Sequence, residues 1–119
     1  MNRQINGLFL GLSTIDLQYL VSHPPRANEK IVAKKQTLSA GGPATNACKT
    51  FSALGGSAAL VSHFGQNDFH ALFTNNLAEW KIKHYDLSDG KLYQPSISSI
   101  TINESTGERT VVSINAENL

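Results

Sequence analysis

The chain has 119 residues, 40% of them hydrophobic and 16% charged, with ten Lys and Arg against nine Asp and Glu. That length allows at most one ordinary domain with a buried core, and the composition excludes a disordered polyelectrolyte. A formal net charge of +1 gives no pull toward nucleic acid or an anionic membrane surface.

The single cysteine, Cys48, has no partner for an internal disulfide, so no secreted disulfide framework is encoded. The N-terminus carries one early arginine, Arg3, and a brief apolar stretch, Gly7 to Leu12, soon followed by Asp16. That stretch is short for a signal sequence. No run approaches the roughly 20 apolar residues of a membrane span. These features lead us to expect a cytoplasmic protein.

In chain order, Ile5 to Leu12 reads as a buried strand, and Ser13, Thr14 and Asp16 read as turn chemistry at its end. Ser22-His23-Pro24-Pro25 is incompatible with regular structure, since consecutive prolines lack donors. Lys30 to Leu38 alternates partly and predicts one or two exposed strands, with Lys30, Lys34 and Lys35 toward water. Thr45 to Leu54 predicts a helix whose apolar stripe is Ala47, Phe51 and Leu54, ended by Gly55-Gly56. Ala58 to Phe64 predicts a second buried strand. Gln66-Asn67-Asp68 supplies a turn and an N-cap, and a second helix runs on to about Trp80. Its apolar face is Phe69, Leu72, Phe73, Leu77 and Trp80. Lys81 to Leu87 predicts a third strand. Ile97 to Ile102 and Thr110 to Ile114 flank the turn Glu104-Ser105-Thr106-Gly107, a hairpin pattern.

Alternating strands and helices with short connections imply a parallel α/β sheet. Ligands of such sheets bind beyond the C-terminal strand ends, which places Asp16 on the ligand side. The strongest local signal is Ala40-Gly41-Gly42-Pro43-Ala44-Thr45-Asn46. Two glycines let a backbone approach a ligand closely, and the helix start beyond them offers free N–H groups. Asn46 and Asp16 add donors and acceptors that suit a neutral polyol. No Gly-Lys-Ser/Thr follows, so this is not a Walker A loop. The four histidines, at 23, 63, 70 and 84, show no i, i+4 pair and no nearby cysteine set, so no metal site is expected.

The stretch GGPATNACKTFSALGGSAALVSHFG closely resembles the N-terminal signature of the ribokinase-like (PfkB) sugar kinases. The matching positions are Gly41, Gly42, Asn46, Cys48, Gly55 and Gly65, with Cys48 standing where the family usually has Ser, Thr or Ala. SISSITINESTGERTVVS is similar to the corresponding hairpin of fructokinases and ketohexokinases. The resemblance implies an incomplete ribokinase-like parallel sheet with flanking helices and a small β-sheet lid. Residues 1–119 would be the N-terminal portion of one such domain, with lid segments at about 17–40 and 95–114.

It further implies that Asp16, Gly41, Gly42 and Asn46 hold sugar hydroxyls, and that Arg109 reaches toward the reacting hydroxyl or the nucleotide phosphates. The implied activity is ATP-dependent phosphorylation of a carbohydrate hydroxyl, on a ketose such as fructose, with ATP and Mg2+ as cofactors. The family's Gly-Ala-Gly-Asp motif, with its catalytic Asp, has no match here. The chain is therefore expected to be an N-terminal fragment, inactive alone, that supplies the sugar-binding residues and lid and pairs as a homodimer through lid strands. The alternatives are a nucleoside kinase of the same fold and a catalytically dead sugar-binding or dimerisation fragment.

Overall fold

The computed structural model describes residues 4–114; the terminal Asn115–Leu119 segment, where the fragment was expected to end, lies outside the described residues. The elements run β1 (Asn6–Leu10), β2 (Thr14–Val21), β3 (Lys35–Gly41), α1 (Pro43–Ala53), β4 (Ser57–Ser62), α2 (His70–Glu79), β5 (Lys83–Asp86), β6 (Ile97–Asn103) and β7 (Arg109–Val112). They form two sheets. One is the expected parallel sheet, three strands in the order β1-β4-β5, and the other is a four-stranded mixed sheet, β3-β2-β6-β7.

The core lies between the parallel sheet, its helices and the base of the second sheet. Ile15, Cys48, Leu60, Phe64, Phe73 and Leu77 are all buried there. The Phe64 and Phe73 rings stack with centroids 4.0 Å apart, a contact that adds to area burial. Among the described residues no helix is long and apolar enough to cross a membrane.

Four sequence expectations are corrected. Ser13 is followed by the strand β2 instead of a turn, because Thr14, Asp16 and Gln18 alternate with the apolar Ile15, Leu17, Tyr19 and Val21, a pattern only Leu20 breaks. The strand expected within Lys30 to Leu38 begins at Lys35 and runs on through Gly41. Lys30, Lys34 and Lys35 are exposed, as expected. In α1 the buried side is Ala44, Thr45 and Cys48, while Leu54 is 83% exposed. Of the expected stripe, Phe51 packs against the core, Ala47 is half-buried and Leu54 lies outside it. Finally, β1 is not buried on both faces. Gly7 and Phe9 turn toward α1, where the Phe9 and Phe51 rings meet at 5.4 Å, while Leu8 and Leu10 remain 63% and 68% exposed.

The hairpin is where the sequence put it. Gly107 N–H donates to Asn103 C=O at 2.8 Å, and Asn103 Oδ1 accepts from Ser105 N–H at 2.9 Å. Gly55, with φ of 97°, closes α1 as expected. Asn67 stands two residues before the N-cap position, Phe69, and accepts Phe69 N–H at 2.9 Å just ahead of α2.

Candidate functional site

The site is built where β2 enters the second sheet and β3 leaves it. In the antiparallel register Thr14 lies opposite Gly41 and Asp16 opposite Ser39. Thr14 and Asp16 are two apart on one strand, so they share a face. Thr14 Oγ1 donates to Asp16 Oδ1 at 2.8 Å, which tilts the carboxylate back toward Gly41. A Cβ at Gly41 would collide with Asp16 Oδ2 and stand 2.7 Å from Oδ1. The carboxylate thus rests on the space that only a glycine leaves open.

Gly42 turns the chain from strand to helix. Its φ is 96°, and a Cβ there would strike the Leu12 carbonyl oxygen and lie 3.2 Å from Ser13 Cα. Glycine is required on both counts. Pro43 occupies the start of α1, where its missing N–H and fixed φ are tolerated. No side chain caps this helix, and no acidic residue sits in its first turn. The N–H groups of its first turn thus have no side-chain cap from α1 itself.

The expected site residues separate into two sets. Asp16, Gly41 and Gly42 come together. Asn46 is one turn along α1 with an exposed side chain, its backbone N–H bonded to Gly42 C=O at 2.9 Å. Arg109 opens β7 opposite Ile102, four residues beyond Ser98, the partner of Asp16 on β6. It shares the Asp16 face of the sheet but stands two strands away, exposed.

Three residues the sequence did not single out join the cluster. Ser39 and Ser98 flank Asp16 on either neighbouring strand and point to the same face. Thr14 fixes the carboxylate itself. The signal for Thr14 was present in the alternation of TIDLQYLV, but nothing local in ISSI marks Ser98.

Beneath the site runs a buried hydroxyl chain. Ser13 Oγ and Thr45 Oγ1 are 3.0 Å apart, Ser13 Oγ donates to Ser62 Oγ at 2.6 Å, and Ser62 Oγ lies 2.7 Å from His84 Nε2. Donated in that order, the chain ends on an unprotonated Nε2. Burial pushes the His84 pKa down and agrees with that state; the Asp86 charge opposes it and His70 adds to it. Beside it, burial works to raise the Asp86 carboxyl, but backbone donors from Ser88, Gly65 and Phe64 outweigh it and hold the group below its usual range. Asp86 thereby pins the loop that leaves β4.

The sequence model for "pfkB family carbohydrate kinase" matches residues 6–119. The chain belongs to the pfkB family of carbohydrate kinases. Solved structures agree on the fold of this family member. A protein from Agrobacterium tumefaciens provisionally described as a ribokinase superposes with a TM-score of 0.83 at 22% identity, over 95% of this chain and 37% of the other. Cryptococcus neoformans ribokinase, solved in complex with ADP, gives 0.67 at 21% identity over 96% and 34%. Arabidopsis thaliana ribokinase, complexed with ribose and ATP, gives 0.61 at 15% identity over 93% and 36%. The chain spans about a third of the length of these proteins. No curated protein matches it in sequence.

Proposed function

We propose that this chain is the sugar-binding portion of an ATP-dependent carbohydrate kinase, and that the β3-β2-β6-β7 sheet is the lid over the sugar. The observation that carries this reading is the Asp16 carboxylate seated on Gly41, beside the uncapped start of α1. An ionised carboxylate accepts from two hydroxyls, and helix N–H groups donate to hydroxyl oxygens. Neighbouring hydroxyls of a polyol meet both needs at once. Ser39 and Ser98 extend the same polar face, and Asn46 adds a side-chain amide at its rim. Arg109, projecting from the same face farther out, suits a phosphate or the hydroxyl that receives it.

The work of these residues is to bind, orient and cover. Fixing the sugar against a rigid strand removes orientational freedom ahead of reaction. A sheet closing over it keeps water from competing for the phosphoryl group. Transfer draws mainly on positioning and charge stabilisation. The residues here do not fit the remaining requirements. The sequence has no Gly-Ala-Gly-Asp motif, and among the described residues no three His, Cys, Asp or Glu stand together as a metal cluster. ATP, Mg2+ and the catalytic base belong, on this reading, to polypeptide beyond these residues, and the isolated chain is not expected to turn over ATP.

The opposite face of the lid sheet supports a pairing role. Tyr19, Val21, Thr110 and Val112, with Pro25 and Ile31 from the connection above them, line a largely apolar groove of about 670 Å³. Two copies joined through this face would cover it. The cytoplasm is the expected compartment, and a ketose or an aldopentose is the expected sugar class.

Ligand-observed NMR against D-fructose, D-ribose and adenosine tests the assignment. Saturation transfer to a sugar that vanishes in Asp16→Asn supports it. Transfer that persists unchanged in Asp16→Asn removes the sugar site from this corner, and binding of adenosine alone favours a nucleoside kinase.

A further inference from the structure

Ala40 immediately precedes the Gly41–Gly42 turn and is 1% exposed. It lies on β3, an edge of its sheet, so one side of the strand has no neighbouring strand to pair with. Buried backbone groups left unpaired there would be costly. Two helices supply the partners instead. Ala40 N–H donates to Asn76 Oδ1 at 2.9 Å, and Ala40 C=O accepts from Lys49 Nζ at 2.6 Å. Lys49 Nζ also donates to Asn76 Oδ1 at 2.8 Å, closing a three-membered clamp across β3, α1 and α2.

The clamp is oriented from behind. Asn76 Nδ2 donates to Glu79 Oε2 at 3.3 Å, which turns Oδ1 toward Ala40. The Lys49 ammonium stands 5.8 Å from the centre of the Trp80 ring, a separation at which cation and ring attract. Ser52 Oγ donates to Trp80 C=O at 2.6 Å and ties α1 to the end of α2. Burial lowers the Lys49 pKa, while the charges of Asp16 and Glu79 oppose that shift. The ammonium therefore feels the Asp16 carboxylate without forming an ion pair with it.

An exposed lysine has no need of this arrangement. A half-buried one, giving one donor to the carbonyl before a glycine turn and another to the side chain that holds that residue's N–H, fixes where the turn sits. We infer that Lys49 is a positioning residue: through the Ala40 peptide, and together with Asn76, it holds Gly41 and Gly42 beneath the Asp16 carboxylate and so sets sugar affinity without touching the sugar. The affinity part rests on the sugar-site reading above; the backbone part does not.

Two measurements on the 119-residue chain separate these parts. One is amide hydrogen exchange at Ala40, Gly41 and Gly42. The other is the dissociation constant for D-ribose and D-fructose by NMR titration. Lys49→Met should speed exchange at those three amides about tenfold or more, leave β4 amides unchanged, and weaken sugar binding about tenfold. Lys49→Arg, which can still donate to both oxygens, should recover most of both effects. Asn76→Ala removes the other arm and should reproduce the exchange pattern; it decides the matter if Lys49→Met does not fold.

Unchanged exchange at Ala40–Gly42 in a folded variant overturns the clamp, whatever the sugars do. Faster exchange with unchanged sugar affinity overturns the positioning role. If neither sugar binds the unaltered chain or affinity ignores Asp16→Asn, the sugar-site reading fails, and the exchange result alone decides whether Lys49 sets the turn. If Asp16→Asn abolishes binding while Lys49→Met alters neither measurement, the site stands and this inference falls.

Discussion

Gly41→Ala separates the site from the fold more sharply than any change to Asp16. Gly41 has no positive φ, so an alanine backbone fits without strain. Limiting the unfolded chain should even stabilise by about 0.4–1 kcal/mol. The new methyl, however, occupies the seat of the carboxylate, at 2.7 Å from Oδ1 and closer still to Oδ2. Asp16 is only partly buried, so it can swing away. In doing so it gives up the Thr14 hydroxyl, a loss of roughly 1 kcal/mol. The two stability terms nearly cancel, and the melting temperature should move little. Binding should not be spared. A hydrogen bond to a charged group contributes roughly 1.5–3 kcal/mol, so two displaced hydroxyl contacts amount to about 10²-fold or more in affinity. Calorimetry for the melt and NMR titration with D-ribose and D-fructose give both numbers on one sample. Equal sugar affinity in a folded Gly41→Ala protein would refute the reasoning. So would a large loss of stability, since the carboxylate would then be part of the fold and not seated for a ligand.

Three further outcomes follow from other parts of the molecule. On acidification the melting temperature should fall in two stages: both His84 and Asp86 have folded pKa values below their ordinary 6.5 and 3.8, so each stabilises fully above that value and loses its contribution as pH falls through the folded one. His84→Asn should abolish the upper stage and Asp86→Asn the lower; a melt flat from pH 7 to pH 3 would contradict both. Cys48 is 0% exposed and its thiol is pushed up to about 11 by burial, so a thiol reagent at neutral pH should label it only after unfolding; fast labelling of the native chain would remove it from the core. Ile5, Leu8 and Leu10 are 70%, 63% and 68% exposed around the open edge of the parallel sheet, so the chain should self-associate with concentration. Leu8→Lys should reduce that association in sedimentation velocity, and a clean monomer at high concentration would rule it out.

The strand–helix order of the parallel layer was readable because its signals are local. Gly55 stops α1 at a φ of 97°, the ESTG turn joins β6 to β7, and the spacing of Phe73 and Leu77 marks the buried side of α2. The second sheet was read less well. The alternation of β2 was passed over because Ser13, Thr14 and Asp16 are residues that also favour turns, and the competing period-2 pattern prevails only once β3 and β6 pair on both sides. The stripe expected on α1 held at Phe51, which packs against the core, but not at Leu54. Periodicity finds an apolar face, but how closely a sheet approaches decides whether alanine or leucine fills it.

By itself the sequence pointed to Gly41 and Gly42 as a turn ahead of a helix, and to Asp16 as a carboxylate on the expected ligand side. Both follow from residue type, since glycine alone has no Cβ and a carboxylate alone offers two charged acceptors. Only the tertiary structure decided that the carboxylate sits on Gly41, that Ser39 and Ser98 flank it, that Arg109 stands two strands off, and that Lys49 and Asn76 hold the turn from behind. Each of these joins segments far apart in the chain. Strand register and helix packing bring them together, and the energy that selects one register comes from burying a whole sheet face, which no short stretch of sequence contains.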